Sequence, residues 1–161
     1  MEKGETVKLV VFDLDGTLTE SKAAIGKKTA DLLCKLLAEK KIAIIGGGAF
    51  SQFQRQFLDK LNCPPAFLAN MTLLPTSGGS FFAYRKGKWQ LLQQDKLKST
   101  EKKEIKNAFK TVFRKINYTQ PRKTYGKVIE DRQAQITFSA LGSKAPLAKK
   151  EEWREKNDRR P

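Results

Sequence analysis

The sequence predicts an α/β protein in two parts: a core with an incomplete parallel sheet over residues 1–79, and an α+β region with an antiparallel sheet over residues 80–161. Three observations carry this prediction. In the first part, short apolar runs rich in β-branched residues alternate with amphipathic segments. Residues 75–79 form a cluster of turn-forming residues. Beyond that cluster, residues 134–141 alternate apolar and polar side chains, as in an antiparallel strand with one covered face.

The first part is predicted to alternate strands and helices. A strand at residues 7–12 and a second at 42–45 flank a helix at residues 27–41. This order is a crossover unit, which requires the two strands to be parallel. A helix at residues 50–61 and a third short strand within residues 66–74 follow.

So few parallel strands make a thin sheet. Parallel sheets normally have more strands and have helices over both faces. We therefore expect either that this chain supplies only part of the domain or that something else completes it.

The second part is predicted to begin with a hairpin over residues 81–94. A helix follows at residues 98–116, where six apolar residues form one unbroken stripe at helical spacing. Two strands are predicted at residues 123–131 and 134–141. The charged segment 149–161 is either the start of a helix or a loose tail.

Composition excludes several kinds of site. The chain has no histidine, which removes histidine general bases and most zinc sites. Cys34 and Cys63 show no paired spacing, so a reducing, cytoplasmic setting is expected. No apolar run approaches the roughly 18 residues that a membrane span needs, and no membrane partner is expected. The charged N-terminus does not resemble a signal peptide.

The net charge of +15 has two interpretations. A basic surface attracts phosphates, nucleic acid or anionic membranes. Alternatively, the lysines are solvated on helix faces. We favour the second interpretation and expect no nucleic-acid partner, because the lysines are scattered and aromatic residues do not alternate with them. Binding of a phosphate-bearing ligand is compatible with either interpretation of the charge.

Two aspartates follow the first predicted strand directly. Asp13 and Asp15 lie at its carboxyl end, where open α/β sheets bind their ligands. Two carboxylates separated by one residue can converge on one small volume, where a Mg²⁺ ion would hold Asp13 and bind phosphate oxygens opposite it. One can attack phosphorus, and the other, when protonated, can protonate the leaving oxygen. Gly16 permits a sharp turn after the pair, and Thr17 can hydrogen-bond the loop.

Three consecutive glycines follow the second predicted strand. Gly46, Gly47 and Gly48 lie between that strand and the N-terminus of the next helix. Glycines let backbone N–H groups approach an anion, and a helix N-terminus favours negative charge. The same glycines would also serve a tight strand-to-helix turn. Because the segment lies one crossover after the aspartates, we interpret it as a phosphate-binding loop.

These motifs resemble a known superfamily. Residues 11–19, VFDLDGTLT, resemble the first motif of the haloacid dehalogenase superfamily of phosphatases and phosphomutases. Residues 126–132 and 135–142 are similar to the cap-domain signature of its phosphomannomutase branch, and residues 74–78 resemble that branch's passage from core to cap. The resemblance implies a Rossmannoid core with an inserted α+β cap. It also allows a homodimer formed through the cap.

The resemblance implies roles for individual residues. Asp13 would be the nucleophile and a Mg²⁺ ligand, and Asp15 the general acid–base, with its backbone carbonyl on the metal. Lys22 stands where the family has a substrate-contacting arginine. Arg132 matches a cap arginine that binds the substrate's distal phosphate, and Lys150 stands near another cap arginine position. Lysine lacks the bidentate fork of arginine, which leaves the preference for mannose phosphate less secure.

Two departures from the family pattern bear on activity. Gly48 stands where the family has a hydroxyl residue that contacts the phosphoryl group, with Ser51 as the alternative. Residues 149–161 do not match the family's later lysine and acidic motif, so we expect the C-terminal half of the core to be missing. The implied function is Mg²⁺-dependent phosphoryl transfer on a sugar phosphate through an aspartyl-phosphate. The alternative is a catalytically inactive fragment that binds phosphate-bearing ligands or nucleic acid.

Overall fold

The structure, a computed structural model, describes residues 7–20 and 23–157, and it confirms the predicted fold class. The chain forms two compact units that divide between Asp95 and Lys96. The first unit contains a five-stranded sheet in which parallel pairs come first, and the second contains a two-stranded antiparallel sheet. Within the described residues, no helix is long and apolar enough to cross a membrane.

The five-stranded sheet keeps its strands in chain order. The strands are β1 (Leu9–Asp13), β2 (Lys41–Ile45), β3 (Met71–Leu74), β4 (Ser80–Arg85) and β5 (Lys88–Gln94). β1 pairs with β2 and β2 with β3 in parallel, as the two crossovers require. β4 and β5 then extend the sheet in antiparallel fashion.

The hairpin of β4 and β5 lies in the first unit, although the sequence placed it at the start of the second part. Thr72 and Leu73 of β3 pair with Ala83 and Phe82 of β4. The Phe82 ring also stacks on the ring of Phe50 with 4.1 Å between centroids. The compact units therefore divide after β5, beyond the predicted boundary at residue 79. A turn-forming cluster marks a change of direction, but it does not reveal which sheet the next strand joins.

Three helices accompany this sheet: α1 (Lys27–Leu37), α2 (Phe50–Gln56) and α3 (Pro65–Leu68). The predicted helix over residues 50–61 is shorter than expected and continues only as a 3₁₀ turn, Leu58–Lys60. Helix side chains from α1 and α2 pack with alternate residues of β2 and β3 in one core. The largest fully buried side chains include Phe53, Phe57, Ile42, Ile44 and Leu73. Each such burial contributes about 1.5–3 kcal/mol.

The opposite face of the sheet is less covered. Val10 and Phe12 pair in register with core residues Ile42 and Ile44, so Leu9 and Val11 point to the other face. These two side chains are 52% and 56% exposed. β1 is also the edge strand, with β2 as its only partner among the described strands. The sheet has five strands and is therefore wider than the few parallel strands predicted, but one of its faces is left partly exposed at β1.

The two cysteines form a disulfide, a pairing that their spacing in the sequence did not predict. Cys34 of α1 is joined to Cys63, which precedes α3, with 5.5 Å between their Cα atoms. The two residues are 29 positions apart. Their proximity comes from the packing of α1 beside α3, which cysteine spacing alone does not reveal.

The second unit contains α4 (Ser99–Lys115), β6 (Ile129–Asp131), β7 (Ile136–Phe138) and α5 (Leu147–Asn157). The predicted apolar stripe of α4 is only partly covered. Phe109 and Phe113 pack against Phe138 of β7, whereas Val112 and Ile116 are 49% and 64% exposed. The strands are shorter than predicted, and a sheet of two short strands is too narrow to cover the whole stripe.

Candidate active site

The aspartate pair lies where the sequence predicted, at the carboxyl end of β1. Asp13 is the last residue of β1, is exposed, and pairs in register with Ile45 of β2. The Leu14 N–H donates to the Ile45 carbonyl at 3.0 Å, and the Leu14 side chain is fully buried. This anchor fixes the point at which the chain leaves the sheet. Asp13 and Asp15 therefore flank a buried leucine at the sheet edge where α/β proteins bind ligands.

A tight turn after the pair closes around one carbonyl oxygen. The Leu14 carbonyl accepts from the backbone N–H groups of Leu18 and Thr19, at 3.1 and 3.0 Å, and from the Thr19 hydroxyl at 3.2 Å. Gly16 has a φ of +90°, which glycine adopts without steric cost. The hydroxyl that closes the loop is thus that of buried Thr19, whereas the sequence analysis offered Thr17, which is exposed.

Asp15 is held by two glutamines that the sequence analysis did not select. Gln52 Nε2 donates to Asp15 Oδ2 at 2.8 Å, and Gln56 Nε2 donates to Asp15 Oδ1 at 3.2 Å. Both glutamines lie on α2, one helical turn apart, and Gln56 is buried. Their spacing of four residues is the signal that places both amides on one helix face. The two bonds fix the orientation of the Asp15 carboxylate.

The glycine turn lies against the same glutamine. A Cβ atom on Gly48 would come within 2.5 Å of the Gln52 side-chain amide, and a Cβ atom on Gly46 would come within 3.3 Å of the Phe53 ring. The absence of side chains here lets α2 approach the strand end. Gly48 stands where the family pattern has a hydroxyl residue, and the Gln52 amide occupies the space that a side chain at Gly48 would take. Gln52 thereby connects the glycine turn to Asp15.

A second turn, at Thr76 and Ser77, packs against the glycines, and its backbone is strained. The Ser77 N–H donates to the Gly46 carbonyl at 2.9 Å, and the Thr76 N–H donates to the Gly48 carbonyl at 2.8 Å. Thr76 and Ser77 have φ values of 54° and 56°, a conformation that costs non-glycine residues about 1–3 kcal/mol each. The exposed Ser77 hydroxyl lies 3.8 Å from the position that a Gly47 Cβ would take. From the sequence, this segment is recognisable as a turn-forming cluster that resembles the passage from core to cap, but its contacts with the glycine turn are not.

The donor set of the site suits a hard cation. Within the described residues, no group of three histidine, cysteine, aspartate or glutamate side chains is gathered for a metal. Mg²⁺, however, is commonly held by one or two carboxylates, with waters and substrate phosphates completing its shell. The Asp13 carboxylate and the Asp15 backbone carbonyl are oxygen donors at one strand end, so the residues present fit Mg²⁺ in chemical type.

The remaining predicted residues lie elsewhere. Lys22 lies outside the described residues. Arg132 and Lys150 lie in the second unit, Lys150 on α5 and Arg132 in the turn after β6. The Arg132 Nε and Nη2 atoms both lie 2.7 Å from Glu130 Oε2, and the arginine side chain is 13% exposed. The roles of these three residues toward Asp13 stay predictions.

The fold and this site together define an α/β protein whose polar residues gather at the carboxyl edge of a parallel sheet. The haloacid dehalogenase-like hydrolase family matches residues 10–160, and the chain belongs to this family. The resemblance seen in the sequence is therefore confirmed.

One curated relative is similar in sequence, and two solved structures share the fold. A phosphomannomutase from Galdieria sulphuraria is 28% identical over 154 residues, which are 96% of this chain and 58% of the relative. The structure of N-terminally truncated, IMP-bound Plasmodium falciparum IMP-nucleotidase matches with a TM-score of 0.61 and 14% identity, over 92% of this chain and 44% of that one. A haloacid dehalogenase-like hydrolase from B. subtilis matches with a TM-score of 0.52 and 17% identity, over 66% and 34%. The chain thus spans about half the length of such relatives, or less.

Proposed function

We propose that this chain carries the nucleophile and the acid–base group of a Mg²⁺-dependent phosphatase or phosphomutase that acts on a sugar phosphate. The observation that carries the proposal is exposed Asp13 at the end of β1, beside an Asp15 carboxylate that Gln52 and Gln56 hold in place. The similarity to a phosphomannomutase supports a sugar phosphate as the substrate class.

The chemistry divides between the two aspartates. A carboxylate oxygen of Asp13 attacks phosphorus, the phosphorus–oxygen bond of the ester breaks, and an aspartyl-phosphate forms. Asp15, when protonated, delivers its proton to the departing oxygen. It then accepts a proton from the incoming water or hydroxyl group, whose oxygen attacks phosphorus while the bond between phosphorus and Asp13 breaks and frees the carboxylate. A Mg²⁺ ion bound here would neutralise charge on the phosphoryl oxygens. Water as the acceptor gives a phosphatase, and a second substrate hydroxyl gives a mutase.

The turns around the aspartates would position the phosphoryl group. Backbone N–H groups near a glycine turn can bind phosphoryl oxygens. Since Gly48 carries no hydroxyl, we assign the hydroxyl contact to Ser77, whose side chain lies beside Gly47. Ser51, the alternative named from the sequence, is an exposed residue of α2.

A second function accounts for the same site without turnover. Backbone N–H groups around the glycine turn at residues 46–48 would bind a phosphate-bearing ligand whether or not it is turned over, which is the property of a binding module. Hydrolysis of an aryl phosphate, measured with and without Mg²⁺, separates the two functions. Binding without Mg²⁺-dependent hydrolysis would favour the module.

Substitution of the nucleophile tests the first function directly. We expect Asp13→Asn to lower Mg²⁺-dependent hydrolysis of an aryl phosphate by at least about a thousandfold, because the amide cannot form the phospho-intermediate. The control is Asp31→Asn on α1, which removes the same charge from an exposed helix position and should keep full activity. Equal activity of the Asp13→Asn variant and the unaltered chain would refute the nucleophile assignment.

A further inference from the structure

The second unit contains a cleft of about 400 Å³. It lies between the segment before β6, the segment after β7 and helix α5. Charged and aromatic side chains dominate its lining: Lys123, Tyr125, Lys149, Glu152, Trp153 and Lys156. None of these belongs to the predicted phosphoryl-transfer site. The volume falls within the range of small-molecule sites, roughly 300–1,000 Å³.

Tyr125 forms a fixed part of the wall. Its N–H donates to the Leu141 carbonyl at 2.8 Å, and its carbonyl accepts from the Lys144 N–H at 2.8 Å. Gly142 has a φ of +88°, and a side chain there would collide with the Tyr125 carbonyl. This packing fixes the Tyr125 backbone without a ligand, and a preorganised wall lowers the cost of binding.

The cleft has an excess of positive charge. Three lysines and one glutamate line it, which leaves a formal net charge of +2. Lys149 and Lys156 each donate to Glu152 at 2.8 Å, and these bonds lower the pKa of Glu152 to about 2, so it is ionised at neutral pH. Lys123 Nζ lies 5.4 Å from the centre of the Tyr125 ring.

The same excess extends over the second unit. From Lys96 onward the sequence has nineteen lysines and arginines and eight aspartates and glutamates, a net charge of +11 out of the +15 of the whole chain. Anions are therefore attracted chiefly to this unit.

We propose that the cleft binds a nucleotide unit, either free or within a single-stranded nucleic acid. The rings of Tyr125 and Trp153 offer stacking surfaces for a base, and the lysines at the rim offer donors for its phosphate. A bare phosphate would leave the aromatic residues and Leu141 unused. The sequence analysis expected no nucleic-acid partner because aromatic and basic residues do not alternate along the chain. The fold brings Tyr125 and Trp153 to one cleft although they are distant in sequence.

The test measures binding of AMP, and of a labelled oligouridine of about eight nucleotides, to the full chain. Adenosine and inorganic phosphate serve as partial ligands. We expect AMP to bind at least about tenfold more tightly than either partial ligand. If oligouridine binds tightly and AMP weakly, the nucleotide unit is recognised within a single-stranded nucleic acid. If AMP binds tightly and oligouridine weakly, it is recognised as a free nucleotide.

Substitutions locate the site. We expect Trp153→Ala to weaken binding about fivefold or more, Trp153→Phe to retain it within about threefold, and Lys123→Ala to reduce the salt slope for oligouridine by about 0.7. Lys110→Ala, an exposed lysine on α4, is the matched charge control and should change affinity less than about twofold.

Three outcomes would overturn the proposal: phosphate binding as tightly as AMP, equal losses in the Lys110→Ala and Lys123→Ala variants, or no effect of Trp153→Ala with the circular dichroism spectrum unchanged. None of these measurements involves Asp13 or Mg²⁺, so the proposed phosphoryl transfer can fail while this inference stands.

Discussion

Asp15 owes its orientation to residues outside its own motif. Gln52 and Gln56 reach its carboxylate from α2, and Gly48 leaves the space that Gln52 occupies. The aspartates and the glycine turn were predictable because strand ends and glycine runs have local signatures. The glutamines were not, since a polar residue on a short helix is ordinary until the fold turns it toward a carboxylate.

Gly48→Ala is the sharpest test of this arrangement. The new methyl group would occupy the place of the Gln52 amide, and we expect it to break the Gln52–Asp15 bond. Hydrolysis of an aryl phosphate should fall about tenfold, with a change of at most about 1 kcal/mol in the free energy of unfolding, because Gln52 is a flexible side chain. Gly26→Ala is the control, because a Cβ atom there would have nothing within 4 Å and Gly26 lies before α1, outside the site. Equal effects of the two substitutions would contradict the proposed role of Gln52.

Ser77 is expected to contact the transferred phosphoryl group. Replacing Ser77 by alanine removes one hydrogen bond to a charged group, which is worth about 1.5–3 kcal/mol. We therefore expect kcat/KM for an aryl phosphate to fall roughly tenfold to a hundredfold. The same substitution at Ser51 should leave kcat/KM within about twofold. A larger loss at Ser51 than at Ser77 would assign the hydroxyl contact to α2.

At the scale of elements, the periodicity of apolar residues predicted whether a segment is a helix or a strand better than it predicted the length of that segment. The helix over residues 98–116 is confirmed as α4, because its apolar spacing is regular and Glu101 accepts a hydrogen bond from the Lys98 N–H at its start. The strands predicted at 123–131 and 134–141 shrink to three residues each. The predicted strand lengths were wrong because the length of a strand depends on its partner. The turns at Gly126, before β6, and Gly142, after β7, also divert the chain from the sheet.

The disulfide between α1 and the segment before α3 should stabilise the first unit. It closes a loop of about thirty residues, and the loss of loop entropy in the unfolded chain corresponds to about 3–4 kcal/mol. We expect Cys34→Ser to lower the free energy of unfolding in urea by about this amount under oxidising conditions. With a reducing agent present, the unaltered chain should unfold like the variant. A difference of similar size under both conditions would mean that the bond is not the source of stability.

At the scale of the whole molecule, the helices of the core cover one face of the five-stranded sheet, and the other face is partly exposed at β1. Chain order in the sheet leaves β1 at the edge, and Leu9 and Val11 lie on the face that the helices of the core do not cover. The width of the sheet was underestimated from the sequence, because the hairpin of β4 and β5 joins it. The position of β1 at the edge could not, because sequence order does not fix spatial order.

An open edge with an apolar face favours association between molecules. We expect the double substitution Leu9→Lys and Val11→Lys to reduce self-association at high protein concentration, measured by light scattering. The free energy of unfolding should change by less than about 1 kcal/mol, because both side chains are more than half exposed. Adding lysines at Asn107 and Thr111, exposed on α4, controls for charge alone. An equal reduction in that control would show that repulsion, and not the edge, is responsible.

The position of the disulfide also has a practical consequence. α1 ends where β2 begins, and Cys63 precedes the segment that leads into β3, so both cysteines lie toward the amino-terminal edge of the sheet. The aspartates and the glycine turn lie at the other edge. Because the chain has two cysteines in all, mild reduction would expose two neighbouring thiols at this edge to a maleimide dye, spin label or surface tether. Immobilised in this way, the molecule would present its acidic pair to the solution.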